Sequence, residues 1–296
     1  MSFQITTAFV QQYSSSVQHL VQQRGSRLRG AVTVEPNVVG KNAYFDQIGS
    51  VEAQKVTNRH GDSPLISTPH KRRRVSLVDY DWGDLVDTLD RVRLLIDPTS
   101  PYTQNAAWAM GRAMDDEIIG AAFASADTGE DGTTAVTLPA GNVIAVNYVE
   151  SGGAANSDMT IGKLRRAKQL LDENETDPQE DRFIALQAKQ LNSLLQTTEV
   201  TSSDYNTVRA LVQGELNQFV GFEFIRTERL LATSDPYTRV ICWVRSGIGL
   251  AIGKDITARI SERADKRYST YVYYMMSLGS TRIEEEKVLE ILCDES

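Results

Sequence analysis

The sequence predicts an α+β fold in which one long helix accompanies several separate strands. Apolar residues that recur every three or four positions indicate the helix, from Pro101 to Ala126. Short apolar runs indicate the strands, and the clearest are Arg182 to Leu186 and Tyr268 to Leu278. A third observation is the stretch 36–80, where glycine and proline separate short alternating runs that are typical of a two-stranded ribbon.

The segment before the ribbon has a composition of its own. Residues 1–34 contain no acidic residue, and apolar residues at helical spacing predict a helix that ends near Arg24 and Gly25. We interpret residues 1–35 as an arm and not as a layer of the core. The ribbon, in which Val51 to Val56 is one expected strand, has too few apolar residues to pack a core. Because an isolated hairpin is marginal in water, the ribbon needs a surface to lie on.

Local signals place the remaining elements. Ser100 and Pro101 suit the N-cap and the first turn of the long helix, and Thr160 suits the N-cap of a second one. Asp84, Asp87 and Asp90 have helical spacing, so we expect them on the exposed face of a further helix. The other expected elements are a helix at Ile161–Leu171, a short helix at Ala188–Leu195, strands within Leu216–Leu231 and Thr238–Ile252, solvated residues Glu284–Glu286 and a last strand at Val288–Cys293.

Charge is distributed unevenly along the 296 residues. The net charge is −8, yet residues 1–78 carry ten Lys and Arg against four acids, about +6, which leaves −14 for the rest. An acidic chain is a poor nonspecific ligand for nucleic acid. We therefore expect the basic first quarter of one copy to lie on the acidic body of another. No apolar run is long enough to span a membrane and the first residues do not resemble a secretory signal, so we expect assembly in a cytoplasm.

The sequence offers no catalytic constellation. The three histidines, His19, His60 and His70, form no metal-binding motif, and the two cysteines, Cys242 and Cys293, are interpreted as reduced core thiols. No nucleophile elbow or phosphate-binding loop is present. The acids between Asp79 and Asp90 could suggest a divalent metal, but an exposed face is the better interpretation. We predict no enzyme activity, no metal and no cofactor.

The run Lys71 to Arg74 has two interpretations. It could form a nucleic-acid patch, which is the alternative function to consider. We favour ion pairs with an acidic neighbouring subunit, because the run lies in an expected strand without interleaved aromatic residues. In a strand, Arg72 and Arg74 would point one way and Arg73 the other. The predicted inter-subunit contacts are Arg59, His60, Lys71, Arg72, Arg73, Arg74, Asp115 and Asp116.

An ordered series of sequence segments resembles the major capsid proteins of tailed bacteriophages. The series comprises FDQIG at 45–49, RHGDSP at 59–64, HKRRRVSLVDYDWGDLVDTLD at 70–90 and IDPTSPYTQNAAWAMGRAMDDEIIGAA at 96–122, followed by the looser VGFEFIRTERL and YYMMSLGSTRIEEEKVLEI. The resemblance implies the Hong-Kong-97-type fold and a shell protein that assembles into hexamers and pentamers around double-stranded DNA.

The resemblance also implies how the chain is divided. Its parts would be an N-terminal arm at 1–35, an extended E-loop at 36–80, a P-domain at 81–154 with its spine helix at 101–126, an A-domain at 155–255, and a return to the P-domain sheet with a C-terminal strand at 256–296. Some relatives begin with a scaffold segment that this chain lacks, so we expect a separate scaffolding protein. A portal and a decoration protein are further expected partners.

Overall fold

The computed structural model describes residues 22–57, 61, 63, 65–86, 99–150, 155–196, 218–230 and 237–294. These contain three α-helices, α1 (Thr99–Phe123), α2 (Ile161–Glu173) and α3 (Ala188–Gln196). The strands are β1 (Thr33–Pro36), β2 (Asn42–Ile48), β3 (His70–Ser76), β4 (Val78–Val86), β5 (Ala126–Thr128), β6 (Thr134–Val136), β7 (Val143–Ile144), β8 (Arg182–Leu186), β9 (Gln218–Phe219), β10 (Phe222–Arg226), β11 (Tyr237–Val244), β12 (Ile248–Arg263), β13 (Ser269–Arg282) and β14 (Val288–Asp294).

The chain forms two units. The first consists of Met1–Ser26, Asp79–Met114 and Lys254–Ser277, and the second of Arg27–Val78, Asp115–Gly253 and Leu278–Ser296. The long strands β12 and β13 contribute residues to both units and are neighbours in a four-stranded sheet of order β1-β12-β13-β4. The predicted strand at Tyr268–Leu278 is confirmed, and as part of β13 it has a neighbouring strand on each side.

The first unit buries one face of its strands. Along β13, Val272, Tyr274 and Met276 are buried while the alternate residues are half-buried. The ring of Trp82 on β4 meets Tyr274 edge to face at 6.4 Å. On the other face, Gly83 leaves room for Tyr271, because a Cβ atom there would collide with the tyrosine hydroxyl.

The second unit has a six-stranded sheet of order β7-β14-β11-β8-β10-β9. Every residue of β8 is buried, as the apolar run Phe183–Leu186 predicts for a central strand. Helix α2 packs on β14 and β7, and its N-cap is Thr160, whose hydroxyl accepts a hydrogen bond from the Lys163 N–H. The side chain of Lys163 is itself buried and donates to three carbonyl groups, those of Ser157, Asp158 and Leu292.

Three expectations need correction. The interpretation of residues 1–35 as wholly outside the core is wrong from residue 28 onwards: Leu28, Ala31 and Val32 are buried, and β1 pairs in parallel with β12. The expected strand at Val51–Val56 is absent, because the β2–β3 ladder ends at Ile48 and a strand without a neighbour cannot satisfy its backbone groups.

The third correction concerns the expected helix around Asp84. Asp84 lies in strand β4, where pairing with β13 outweighs the helical spacing of the acids, while Asp87 and Asp90 lie outside the described residues. The long helix begins at Thr99, two residues before the predicted start at Pro101. It ends at Phe123, three residues before the predicted end at Ala126. The predicted N-terminal helix lies outside the described residues.

Candidate functional site

The ribbon is an antiparallel pair of strands, β2 and β3, as the sequence predicts. Asn42 lies opposite Ser76 and Ile48 lies opposite His70. Strand β3 also pairs with the β5–β6 hairpin, which gives a four-stranded sheet of order β2-β3-β5-β6. The tip of the ribbon, residues 49–69, contains no strand or helix among its described residues.

The inward face of the ribbon rests on glycines of β12 and β13. Ala43 and Val75 form a buried cluster with Ala251, and Phe45 packs against it. A Cβ atom on Gly249 would lie 2.7 Å from the Phe45 ring, and one on Gly279 would collide with the backbone of Ser76. The ribbon therefore approaches these strands closely at its base because both positions are glycine.

The three arginines of β3 alternate between the two faces, as predicted. Arg73 points inward and is 4% exposed, whereas Arg72 and Arg74 point outward. Arg72 Nε lies 2.6 Å from Asp46, its cross-strand neighbour, and its guanidinium group lies 5.1 Å from the Tyr44 ring centroid. The hydrogen bond from Arg72 holds the pKa of the Asp46 carboxyl below its usual value. Arg74 pairs with Asp127 of β5 at 2.6 Å.

Arg73 belongs to a buried ionic cluster. Its Nη2 lies 2.6 and 2.5 Å from the two carboxylate oxygens of Glu285, and its Nε donates to the Ile283 carbonyl. Asn142 donates to the Glu285 carbonyl at 2.5 Å. The expectation that Glu284–Glu286 are solvated is thus wrong for Glu285, which is buried.

Arg282 is the second buried cation of this cluster. It is fully buried and donates to the carbonyls of Ala122, Ala124 and Val136, so it caps the C-terminal end of α1. Burial lowers the pKa of Arg282, the charge of Glu285 opposes that effect, and the charge of Arg73 adds to it. At the base of the ribbon, Arg73 is thus paired with the Glu285 carboxylate, while Arg282 is bonded to backbone carbonyls.

A groove of about 720 Å³ lies between the ribbon and the β5–β6 hairpin. His70, Lys71, Arg72 and Arg73 line it together with Asp46, Glu130 and Glu285. Lys71 is exposed, so the groove presents a basic side chain to the surroundings. Among the residues that the structure describes, no group of His, Cys, Asp or Glu could hold a metal ion.

The acids predicted to meet the arginines have other partners. Asp115 is fully buried and accepts hydrogen bonds from the backbone N–H groups of Arg27 and Leu28. Asp116 forms a bidentate pair with Arg229, which raises the pKa of that arginine. Asp115 and Arg73 are thus buried against their own chain, and their predicted role in inter-subunit contacts stays a prediction.

The other predicted contact residues remain untested. Arg59 and His60 lie outside the described residues, while Lys71, Arg72, Arg74 and Asp116 keep exposed surface. Sequence reasoning missed Glu285, Arg282 and the two glycines at the base of the ribbon. A weak signal existed for the glycines, because both interrupt otherwise apolar strand sequences.

The model of a family described as phage capsid protein matches residues 5–295. The chain belongs to the phage capsid protein family. The predicted role as a structural capsid protein is confirmed. A comparison with curated protein sequences found no match. None of the helices in the described part of the chain is long and apolar enough to cross a membrane.

Solved phage capsids share the fold of this capsid protein at low sequence identity. The capsid of Cyanophage P-SCSP1u matches with a TM-score of 0.77 and 16% identity, over 99% of this chain and 95% of that one. The head structure of Helicobacter pylori bacteriophage KHP40 matches with a TM-score of 0.75 and 10% identity, over 100% of this chain and 99% of that one. The capsid of Ralstonia phage GP4 matches with a TM-score of 0.74 and 13% identity, over 97% of this chain and 95% of that one. The predicted Hong-Kong-97-type fold is confirmed.

Proposed function

We propose that this protein is the major shell-forming subunit of a tailed phage, assembling into hexamers and pentamers of an icosahedral head that encloses double-stranded DNA. Its role is structural and needs no catalysis. The observation that carries the proposal is the apolar tip of the ribbon. Within the tip, Val56 is 83% exposed and Leu65 is fully exposed, and Ile48 at the adjoining end of β2 is 72% exposed. Isolated aliphatic side chains at a surface are ordinary, but several on one projecting segment suit a contact with another molecule.

The parts of the chain take the roles that the capsid fold gives them. Residues 1–35 are the N-terminal arm, which packs on the body of its own chain through Leu28, Ala31 and Val32. Residues 36–80 are the E-loop, 81–154 the P-domain with its spine helix, 155–255 the A-domain, and 256–296 the return to the P-domain sheet. The ribbon lies on a neighbouring copy, where Lys71, Arg72, Arg74 and Asp116 contribute polar contacts at its margin. Assembly takes place in the bacterial cytoplasm with a separate scaffolding protein, a portal and, in some particles, a decoration protein.

The nucleic-acid alternative is less well supported. Each of the three arginines of β3 is already bonded to a carboxylate of its own chain. An arginine in such a pair must give up that partner before it binds phosphate, which weakens the attraction. Packaged DNA is then held without sequence-specific contacts.

Assembly of a paired serine variant tests the proposal. Val56→Ser with Leu65→Ser removes two exposed aliphatic side chains, so the protomer should keep its thermal midpoint because neither side chain is buried. Shell yield in negative-stain images should fall at least severalfold. Ile260→Ser is the matched control, since Ile260 is an exposed aliphatic residue of β12.

Two outcomes would contradict the proposal. Wild-type protein that stays monomeric with its scaffolding protein present would reject the shell-forming role itself. Unchanged shell yield from the paired variant would reject the ribbon tip as a contact surface while leaving the role in place.

A further inference from the structure

A solvent-accessible methionine lies on strand β13 of the first unit. The described part of the chain contains five methionines, and four of them are nearly inaccessible: Met110 is 3% exposed, Met276 is 2% exposed, and Met114 and Met159 are each 1% exposed. Met275 is only half-buried, because alternate residues of a strand face opposite sides of the sheet and its neighbour Met276 takes the covered side. Among the described residues, Met275 is therefore the methionine that solvent reaches.

Met275 lines a pocket of about 390 Å³ that β4, β12 and β13 form together. Lys254 of β12 and the pair Asp79 and Asp81 of β4 also line this pocket, and these three residues are exposed. A water molecule in the liquid occupies about 30 Å³, and hydrogen peroxide is larger by one oxygen atom. A small peroxide therefore has room to reach the Met275 side chain without any opening of the fold.

The ammonium group of Lys254 lies against the Met275 sulfur. Its Nζ is 3.0 Å from Met275 Sδ and donates a hydrogen bond to it. A thioether sulfur is a weak acceptor and has two lone pairs. The lone pair that accepts from Lys254 is covered, so an oxidant reaches the other one. Attack from a single side fixes the configuration of the product, because the sulfur of a methionine sulfoxide is a chiral centre.

We propose that Met275 is a site of selective oxidation by hydrogen peroxide, and that Lys254 directs the oxygen to one of the two lone pairs of its sulfur. The sulfur attacks one peroxide oxygen, the O–O bond breaks and an S–O bond forms. Two electrons pass from the sulfur to the peroxide, and the departing hydroxide takes the proton of the transferred hydroxyl group and leaves as water. The product is a polar sulfoxide where the sheet had an apolar thioether.

Peroxide treatment of the folded, full-length protomer tests the site, and it does so independently of shell assembly. Tandem mass spectrometry should show that Met275 gains its oxygen about tenfold or more faster than the four buried methionines, because those react only when local unfolding exposes them. In urea-unfolded protein this preference should disappear. Met275→Leu is the companion variant, and its folded protomer should gain no oxygen in strand β13. Equal rates for all five methionines in the folded protomer would overturn the inference.

Lys254→Ala tests the directing role separately. In the folded wild type, liquid chromatography of the Met275 peptide should show one sulfoxide epimer in about threefold excess or more. In Lys254→Ala the ratio should approach that of the urea-unfolded protein, while Met275 remains the preferred site. Lys266→Ala is the matched control, since Lys266 is an exposed lysine in the turn between β12 and β13 and should leave the ratio unchanged. A wild-type ratio equal to that of the unfolded protein, or one that Lys254→Ala leaves unchanged, would reject the role of Lys254.

Discussion

Glu285 should be the most sensitive charge at the base of the ribbon, because its carboxylate is buried and pairs with the buried Arg73. Arg73 is bonded to both of its oxygens, and its charge also favours the cationic form of Arg282. Glu285→Gln leaves the buried Arg73 cation without its carboxylate partner, and breaking a buried pair in this way costs about 3–5 kcal/mol. Arg73→Gln removes one cation but keeps Glu285 near Arg282, so we expect only about 1–3 kcal/mol.

Urea unfolding of the protomer measures both costs, with the fluorescence of the buried Trp243 as a probe. The double variant Arg73→Gln with Glu285→Gln should cost less than the sum of the two single variants, since the partners are in contact. Glu286→Gln is the control, because Glu286 is the exposed neighbour and should stay within about 0.5 kcal/mol of wild type. The reasoning fails if Arg73→Gln costs as much as Glu285→Gln, or if Glu285→Gln behaves like the control.

Three further predictions concern the N-terminal segment, the two cysteines and Lys163. Deletion of residues 1–21 should leave the protomer folded, whereas deletion of 1–35 removes the buried Leu28, Ala31 and Val32 and should abolish cooperative thermal unfolding. Cys242 and Cys293 should react with a thiol reagent only on unfolding, because both are buried and burial raises the pKa of Cys242; rapid reaction in native buffer would contradict this. Burial lowers the pKa of Lys163 below 10.5, so as the pH rises toward that value the folded chain releases the Lys163 proton before the unfolded chain does. The stability of wild type relative to Lys163→Met, measured by urea unfolding, should therefore rise with pH over this window. A difference that falls with pH would contradict the prediction.

Local sequence signals predicted most helices and strands of the second unit. The strand Arg182–Leu186 has the predicted limits, and α2 begins after the predicted cap at Thr160. Both depend on interactions within a few residues, namely the apolar run that follows Arg182 and a capping hydroxyl. The expected strand at Val51–Val56 failed for the opposite reason, since strand formation needs a neighbour that no local pattern supplies.

The partners of the charged residues were beyond such local signals. Alternation along β3 correctly separated Arg73 from Arg72 and Arg74, because the strand period is two. It could not tell which face was buried, as that depends on Gly249 and Gly279, which are about two hundred residues away in the sequence. Glu285 was equally hidden, because it is one of three consecutive glutamates and only its position after β13 turns it inward.

Composition alone cannot tell whether the basic first quarter of the chain pairs with acids of its own chain or with acids of another copy. Arg73 and Arg74 of the basic first quarter pair with Glu285 and Asp127 of the acidic body, inside one chain. These two arginines are therefore already paired within their own chain and contribute less to the attraction between copies that the sequence suggests. For the proposed contacts between copies, the exposed surface of Lys71 and its neighbours at the groove is available, together with the apolar tip of the ribbon. Because exposed ion pairs contribute little individually, the apolar tip should dominate the contact and the charges should set its orientation.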